Sequence, residues 1–376
     1  MSAPRILLLA GEPSGDQYGG ALAQALRRRY PDAGLVGTGG PEMRSAGVEL
    51  IEDIDTMAVM GFVEVVPKLW GSWQLKRRIC DLMDERRPDL VVLIDYPGLN
   101  MRLARAAKER GLAVLYYVPP KVWAWRTSRA KALAEITERV AVVLPFEVDL
   151  LRGWGVEATY VGHPLLERSD DVPDRESFCK QWGLDPSRRL LAILPGSRAQ
   201  EVRRHIEPFG RIADLVARAR RDVLPVFSRA ASIHAAAFHR TGFPFVDDAR
   251  ALLRHADAAL IKSGTATLEA AIEGTPHVVA YITNPITMAI GKHLLVADHI
   301  ALPNLVAESR LVPELLQEQV QPHTAGHLLL DLLDHTSEIR SQQVVGFERV
   351  RDRLGTPGAA GRVAAMAEEL IERGRA

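Results

Sequence analysis

The segment Lys262-Ser-Gly-Thr-Ala-Thr-Leu-Glu269 sets small residues, two hydroxyls and a carboxylate between an apolar run and a helical pattern. The run Ala256–Ile261 reads as a buried strand, and Leu268–Ile272 starts the helix. A strand, a tight turn and a helix N-terminus collect unpaired backbone N–H groups and the positive end of a helix dipole, which suits a phosphate. Ser263, Gly264, Thr265, Ala266 and Thr267 form the cradle, and Glu269 is placed to accept from sugar hydroxyls. An ordinary βα turn, with Ser263 or Thr265 capping the helix, accounts for the same residues. A second segment of this kind, Leu194-Pro-Gly-Ser-Arg198, follows the first strand of the second half. There Gly196 permits close backbone approach, Ser197 can donate, and Arg198 can pair bidentately with phosphate.

Three segments of the first half carry other chemistry. Gly11-Glu-Pro-Ser-Gly-Asp16 follows the first strand and puts Glu12, Ser14, Gly15 and Asp16 where a polar ligand can meet them, although Ser14 and Asp16 also suit helix capping. The run Val91–Asp95 ends a buried strand in a carboxylate. Asp95 there is ionised at neutral pH and can take a proton from a sugar hydroxyl; a turn aspartate bonding local N–H groups is the alternative. Asn100 caps the next helix or touches the acceptor. Tyr116–Arg126 gathers Trp123 and Trp125 with stiffening prolines, as walls for a sugar ring or acyl chain.

Val66, Leu69, Trp70 and Trp73 stand beside Lys68, Lys76, Arg77 and Arg78. Large apolar groups with a basic edge fit insertion into a membrane interface; a core helix with a solvated face is the other reading. His163, in Val161–Leu165, suits a structural role or a substrate contact better than a general base. His323 and His327 lack the acidic neighbour a metal site needs, and no GxSxG elbow is present. We therefore expect no metal and no cofactor.

These residues need a scaffold of strands and helices. Apolar runs alternate with amphipathic stretches, which argues for α/β architecture with parallel sheets covered on both faces. The expected strands are Ile6–Ala10, Leu35–Gly37, Leu90–Asp95, Ala113–Val118, Arg139–Leu144 and Thr159–Val161. After a break they resume as Leu190–Leu194, Leu224–Phe227, Phe245–Val246, Ala256–Ile261 and His277–Tyr281. The polar stretch Arg168–Asp174 reads as a linker. Expected divisions are a Rossmann-like domain over 1–168, a second over 169–350, and a helical tail over 351–376. A ligand would lie between the domains, at strand carboxyl ends.

The 376 residues carry 47 Lys+Arg against 47 Asp+Glu, so no global field favours nucleic acid. Cys80 and Cys179 are too few for a disulfide framework and point to a reducing compartment. The run Arg5–Ala10 is a strand rather than a signal peptide, and no apolar stretch reaches the ~18 residues of a spanning helix. The expectation is a cytoplasmic protein able to lie on a membrane.

Taken in order, Gly11–Asp16, Met57–Val65, Ile94–Asn100, Tyr116–Arg126, Leu144–Glu147, Val161–Leu165, Leu194–Arg198, Lys262–Gly274 and Leu302–Leu305 resemble the lipid-A-disaccharide synthases over most of the chain. Pro119-Pro120-Lys121 departs from the family, where a small polar residue precedes the second proline. The resemblance implies a GT-B fold, two Rossmann-like domains facing across a cleft. It implies transfer from UDP-2,3-diacylglucosamine to 2,3-diacylglucosamine 1-phosphate (lipid X), forming a β-1,6-linked disaccharide with inversion, without metal. It also implies peripheral attachment to the cytoplasmic face of the inner membrane and, often, a homodimer with exchanged C-terminal segments. Under it Asp95 is the general base, and Gly196–Arg198 with Ser263–Thr267 hold the diphosphate. Glu269 binds the ribose, Asn304 lines the donor side, and Trp70 and Trp73 dip into the bilayer. Glu12, Ser14, Gly15, Asp16, Asn100, Trp123, Trp125 and His163 form the acceptor and sugar pocket. The rivals are another GT-B enzyme on UDP-N-acetylglucosamine, transferring to a different lipid or epimerising at C2, and a nucleotide-sugar-binding regulator without turnover.

Overall fold

The computed structural model describes residues 3–54, 65–122, 128–167, 171–284 and 299–375, with side-chain surroundings left out for 65–70, 72 and 128. Trp123 and Trp125, and the side chains of Val66, Leu69 and Trp70, lie outside the described residues. The chain divides into two units: residues 1–167 with 356–376, and residues 168–355. The expected boundary at 350/351 therefore moves. The helix Glu338–Leu354 runs through it without a break, because Phe347, Val350 and Leu354 keep one apolar face buried to its end.

The first unit holds a parallel seven-stranded sheet. Its strands are β1 Arg5–Ala10, β2 Gly34–Gly39, β3 Glu49–Asp53, β4 Leu90–Ile94, β5 Val114–Tyr117, β6 Arg139–Val142 and β7 Ala158–Tyr160. Their spatial order is β3-β2-β1-β4-β5-β6-β7. The direction of winding reverses between β1 and β4, and α/β sheets bind ligands outside the strands' carboxyl ends at such a reversal. In β4 all of Leu90, Val91, Val92, Leu93 and Ile94 are buried. A strand covered on both faces reads as a continuous apolar run. The edge strand β3 is half-buried and acidic, and was not among the expected strands.

The second unit repeats the scheme with six strands: β8 Arg189–Leu194, β9 Val223–Ser228, β10 Phe245–Val246, β11 Ala258–Lys262, β12 His277–Tyr281 and β13 Glu314–Leu316. The order β10-β9-β8-β11-β12-β13 puts its reversal between β8 and β11. Alternate residues feed opposite layers. Leu191, Ile193 and Leu260 pack with Phe209, Ile212 and Val216 of the helix Ala199–Ala219. Leu190, Ala192 and Ile261 pack with Phe178 and Leu252 on the other face. Phe209, Ile212, Ala213 and Val216 are spaced three and four apart, which is one face of a helix. Burying each large side chain is worth about 1.5–3 kcal/mol.

The tail helix Ala359–Arg375 packs on the helix Pro13–Arg29 of the first unit. Ion pairs Arg29–Glu368, Arg139–Glu369 and Arg375–Asp89 pin it, and the Arg362 Nε donates to the Val161 carbonyl at 2.7 Å. Among the described residues, no helix is long and apolar enough to cross a membrane.

Candidate active site

In the first unit the reversal point gathers the loop after β1 and the tip of β4. Asp95 follows the last residue of β4 and is half-buried. Both Asp95 and Tyr96 have left-handed backbones, with φ of 49° and 48°. Neither is glycine, so each costs roughly 1–3 kcal/mol of strain that the surroundings must offset. The surroundings do so with hydrogen bonds. The Asp95 N–H donates to the Tyr117 carbonyl at 3.0 Å. The Asp95 carbonyl accepts from Asn100 Nδ2 at 2.8 Å and from the Tyr116 hydroxyl at 3.0 Å. Steric room comes from Gly11, where a Cβ would stand 2.4 Å from the Tyr96 ring. Burial, and then the nearby Glu12 carboxylate, push the Tyr96 hydroxyl pKa up. The Glu12 loop and the Asp95 tip are thus packed as one feature.

Two acceptor-side residues are engaged by the scaffold itself. Asp16 is 2% exposed and accepts from the backbone N–H groups of Gly40, Glu42 and Met43 at 2.7, 3.0 and 3.0 Å. It caps the short helix Pro41–Ser45 rather than its own helix or an open pocket. Asn100 is buried, and its Nδ2 also lies 3.2 Å from the carbonyls of Leu9 and Ile94. Its Nδ2 braces the ends of β1 and β4. Ser14 and Glu12 are half-buried, and Gly15 is buried against Ala10 and the Ile94 carbonyl. His163 is buried and accepts from the Leu165 N–H at Nδ1, 3.2 Å away. Trp73 is 55% exposed on the helix Val65–Arg86, with the Arg77 guanidinium 5.9 Å from its ring centre. Lys76 is half-buried and Arg77 exposed.

In the second unit the loops after β8 and β11 leave adjacent strands, with Leu194 paired to Ile261. The two phosphate-suited segments therefore stand side by side. Gly196 has φ 120°, and a Cβ there would lie 2.7 Å from the Glu201 Cβ. Glu201 folds back beneath the loop. Its Oε2 accepts from the N–H groups of Ser197 and Arg198 at 3.2 and 3.4 Å. Its Oε1 accepts from Lys262 Nζ at 2.8 Å. Burial raises the Glu201 pKa, but Lys262, together with Arg198 and the Ser197 N–H, holds it below the usual range. The Arg198 side chain is 62% exposed.

The second loop turns at Ser263, whose hydroxyl donates to the Ile300 carbonyl at 3.2 Å. Gly264 is extended, and the helix Thr265–Glu273 begins at once. Thr265 is exposed; Ala266 and Glu269 are half-buried. Thr267 is buried, and its hydroxyl donates to the Gly264 carbonyl at 2.7 Å, so it shapes the turn rather than reaching a ligand. Asn304 is likewise a strut: its Nδ2 donates to Val312 O and Glu314 Oε1 at 2.9 and 2.8 Å. Its Oδ1 accepts from the N–H groups of Leu311 and Val312 at 2.8 and 2.7 Å. Fully exposed to none of the solvent, its amide has its hydrogen-bonding capacity used within the protein.

Glu201, Lys262 and His205 form a cluster that motif reading missed. The signal was a glutamate three residues after Arg198 at a helix start, the capping-box spacing. His205 accepts from the Ile282 N–H at Nε2, 2.9 Å away, so Nδ1 carries the proton and donates to the Glu201 carbonyl at 2.7 Å. Burial lowers its pKa and keeps the ring neutral. Among the described residues, no three His, Cys, Asp or Glu side chains are placed to hold a metal ion.

Known proteins share this fold. Among solved structures, a putative UDP-N-acetylglucosamine 2-epimerase from Listeria monocytogenes aligns with 100% of this chain and 98% of its own, at TM-score 0.70 and 13% identity. The calicheamicin glycosyltransferase CalG4 aligns over 99% of both chains, at TM-score 0.61 and 16% identity. At such identity the likeness speaks for the fold, which is of the GT-B class. The lipid-A-disaccharide synthase of Acidobacterium capsulatum is 39% identical over 99% of this chain and 98% of its own length. The profile of the lipid-A-disaccharide synthetases matches residues 6–365, and the chain belongs to that family.

Proposed function

We propose that this lipid-A-disaccharide synthase joins UDP-2,3-diacylglucosamine to 2,3-diacylglucosamine 1-phosphate with inversion at the anomeric carbon. The observation that carries the reading is the Asp95 tip. A carboxylate-bearing residue is held in a strained backbone at the carboxyl end of the central strand by two side-chain donors. Such strain is kept where geometry serves chemistry.

Asp95 takes the proton from the acceptor 6-hydroxyl as its oxygen attacks the anomeric carbon. The bond to the UDP oxygen breaks on the opposite face, so the new linkage is β-1,6. The departing diphosphate carries the developing charge. Arg198, the amides at the start of the helix Thr265–Glu273 and the Thr265 hydroxyl stabilise it in place of a metal. Glu269 takes the ribose hydroxyls.

Both sugars carry acyl chains, so the reading places the protein on the cytoplasmic surface of the inner membrane. Trp73 and Arg77, exposed together, support that attachment.

The test is incubation with both diacylated substrates in excess chelator, followed by mass analysis and NMR of the product. A tetra-acylated disaccharide phosphate with a β linkage, plus UDP, is expected. Absence of product overturns the reading, an α linkage overturns inversion, and turnover restored only by added metal overturns metal independence.

A further inference from the structure

We propose that Lys262 is a positioning residue that cancels the charge of Glu201, so that the carboxylate clamping the Gly196–Arg198 loop does not repel a diphosphate docking there. The inference rests on the donor-side assignment above and deepens it.

The geometry poses the problem. The N–H groups of Ser197 and Arg198 suit an anion, yet both donate inward to Glu201 Oε2, at 3.2 and 3.4 Å. A Cβ on Gly196 would come within 2.8 Å of that same oxygen, so the carboxylate lies directly against the loop. It orders the loop. It also puts a negative charge where a second negative charge is to arrive, and like charges at such range disfavour binding.

The same structure supplies the remedy. Lys262 is the last residue of β11, the strand hydrogen-bonded to β8. Its Nζ donates to the other oxygen, Oε1, at 2.8 Å. The two side chains are only 14% and 19% exposed, so solvent and salt screen their pairing weakly. The ammonium sits 5.6 Å from the Tyr281 ring centre, which holds the stem in place. The other groups near the carboxylate are Arg198, whose guanidinium lies 3.7 Å from Oε1 but is largely exposed, and neutral His205. Lys262 is the shielded counter-charge of this cluster.

Calorimetric UDP affinity of Lys262→Met, Glu201→Gln and the double variant tests the assignment, each checked for folding by circular dichroism. Glutamine keeps a carbonyl oxygen for the two N–H groups and removes the charge. Lys262→Met should weaken UDP about tenfold or more, because it leaves Glu201 unpaired beside the diphosphate. Glu201→Gln should bind at least as tightly as the parent, and the double variant should return to within about threefold of it. A double variant as weak as Lys262→Met would overturn the proposal, showing that the ammonium grips the phosphate itself. A folded Glu201→Gln that binds about tenfold more weakly would overturn it too, and decides the matter if Lys262→Met does not fold. A parent that binds no UDP defeats the donor-side assignment and this inference together, whereas the outcomes above defeat this inference alone.

Discussion

The Tyr116 hydroxyl donates to the main-chain carbonyl of Asp95 across 3.0 Å. Tyr116 is fully buried, and burial, then the Asp95 carboxylate, push its pKa well above the ordinary value, so the hydroxyl keeps its proton and stays a donor. It shares the carbonyl with Asn100. The strand tip is thus held through its main chain. Tyr116→Phe removes one of the two donors. Unfolding free energy should fall by about 1 kcal/mol, kcat should fall several-fold, and UDP affinity should stay at the parental value. Denaturant titration and steady-state kinetics read these quantities, and unchanged kcat would detach Tyr116 from catalysis.

Asp95→Asn keeps the size of the side chain and the backbone bonds to Tyr116, Tyr117 and Asn100. Turnover should drop by roughly 10²–10⁴-fold while UDP still binds, because only proton removal is lost. Equal turnover in variant and parent would rule out the proposed base.

Asp16 separates support from ligand contact. Asp16→Ala strips three backbone N–H groups at the start of the helix Pro41–Ser45 of their acceptor. About 2–3 kcal/mol of stability should be lost, with kcat of the folded fraction close to the parent at low temperature. Lost turnover at unchanged stability would instead place the carboxylate on a substrate.

His277 makes stability depend on pH. Its ring stacks on Phe347 at 5.3 Å, its Nδ1 bonds the Thr275 carbonyl, and its Nε2 is buried without a partner. Burial lowers its pKa from 6.5 to about 4. The unfolded chain therefore binds the proton first. The contribution is whole above pH 6.5 and is lost as pH falls from there through about 4, a span worth ~3 kcal/mol. Buried His205 acts in the same direction. Urea midpoints should fall across this window, and His277→Phe should flatten the fall. A variant with the parental slope would remove His277 from the account.

Trp73 tests attachment to membranes. Trp73→Ser removes an exposed ring backed by Arg77 and should weaken binding to anionic vesicles several-fold, with the melting temperature unchanged. Unchanged sedimentation with vesicles would leave the basic helix as solvated surface only.

Much of the architecture was legible in the chain. The buried strands announce themselves as apolar runs, as Leu90–Ile94 does, and the order of the motifs carries the family. The edge strands β3 and β13 did not, because Glu49–Asp53 and Glu314–Leu316 are short and only partly buried. A strand with one neighbour needs no continuous apolar run, so its sequence lacks the mark.

By itself, then, the sequence determined which segments become the buried strands, their turns and the helix starts after them, since those depend on short-range backbone preferences and local periodicity. Only the tertiary structure decided which polar side chains remain available to a ligand. Asp16 spends its oxygens on residues 40–43, Asn100 its amide on the end of β1, Asn304 its amide on residues 311–314, and Glu201 one oxygen on Lys262. Those partners arrive through sheet pairing and loop packing, and a side chain's hydrogen-bonding capacity is used up by whatever lies nearest in space, not in sequence.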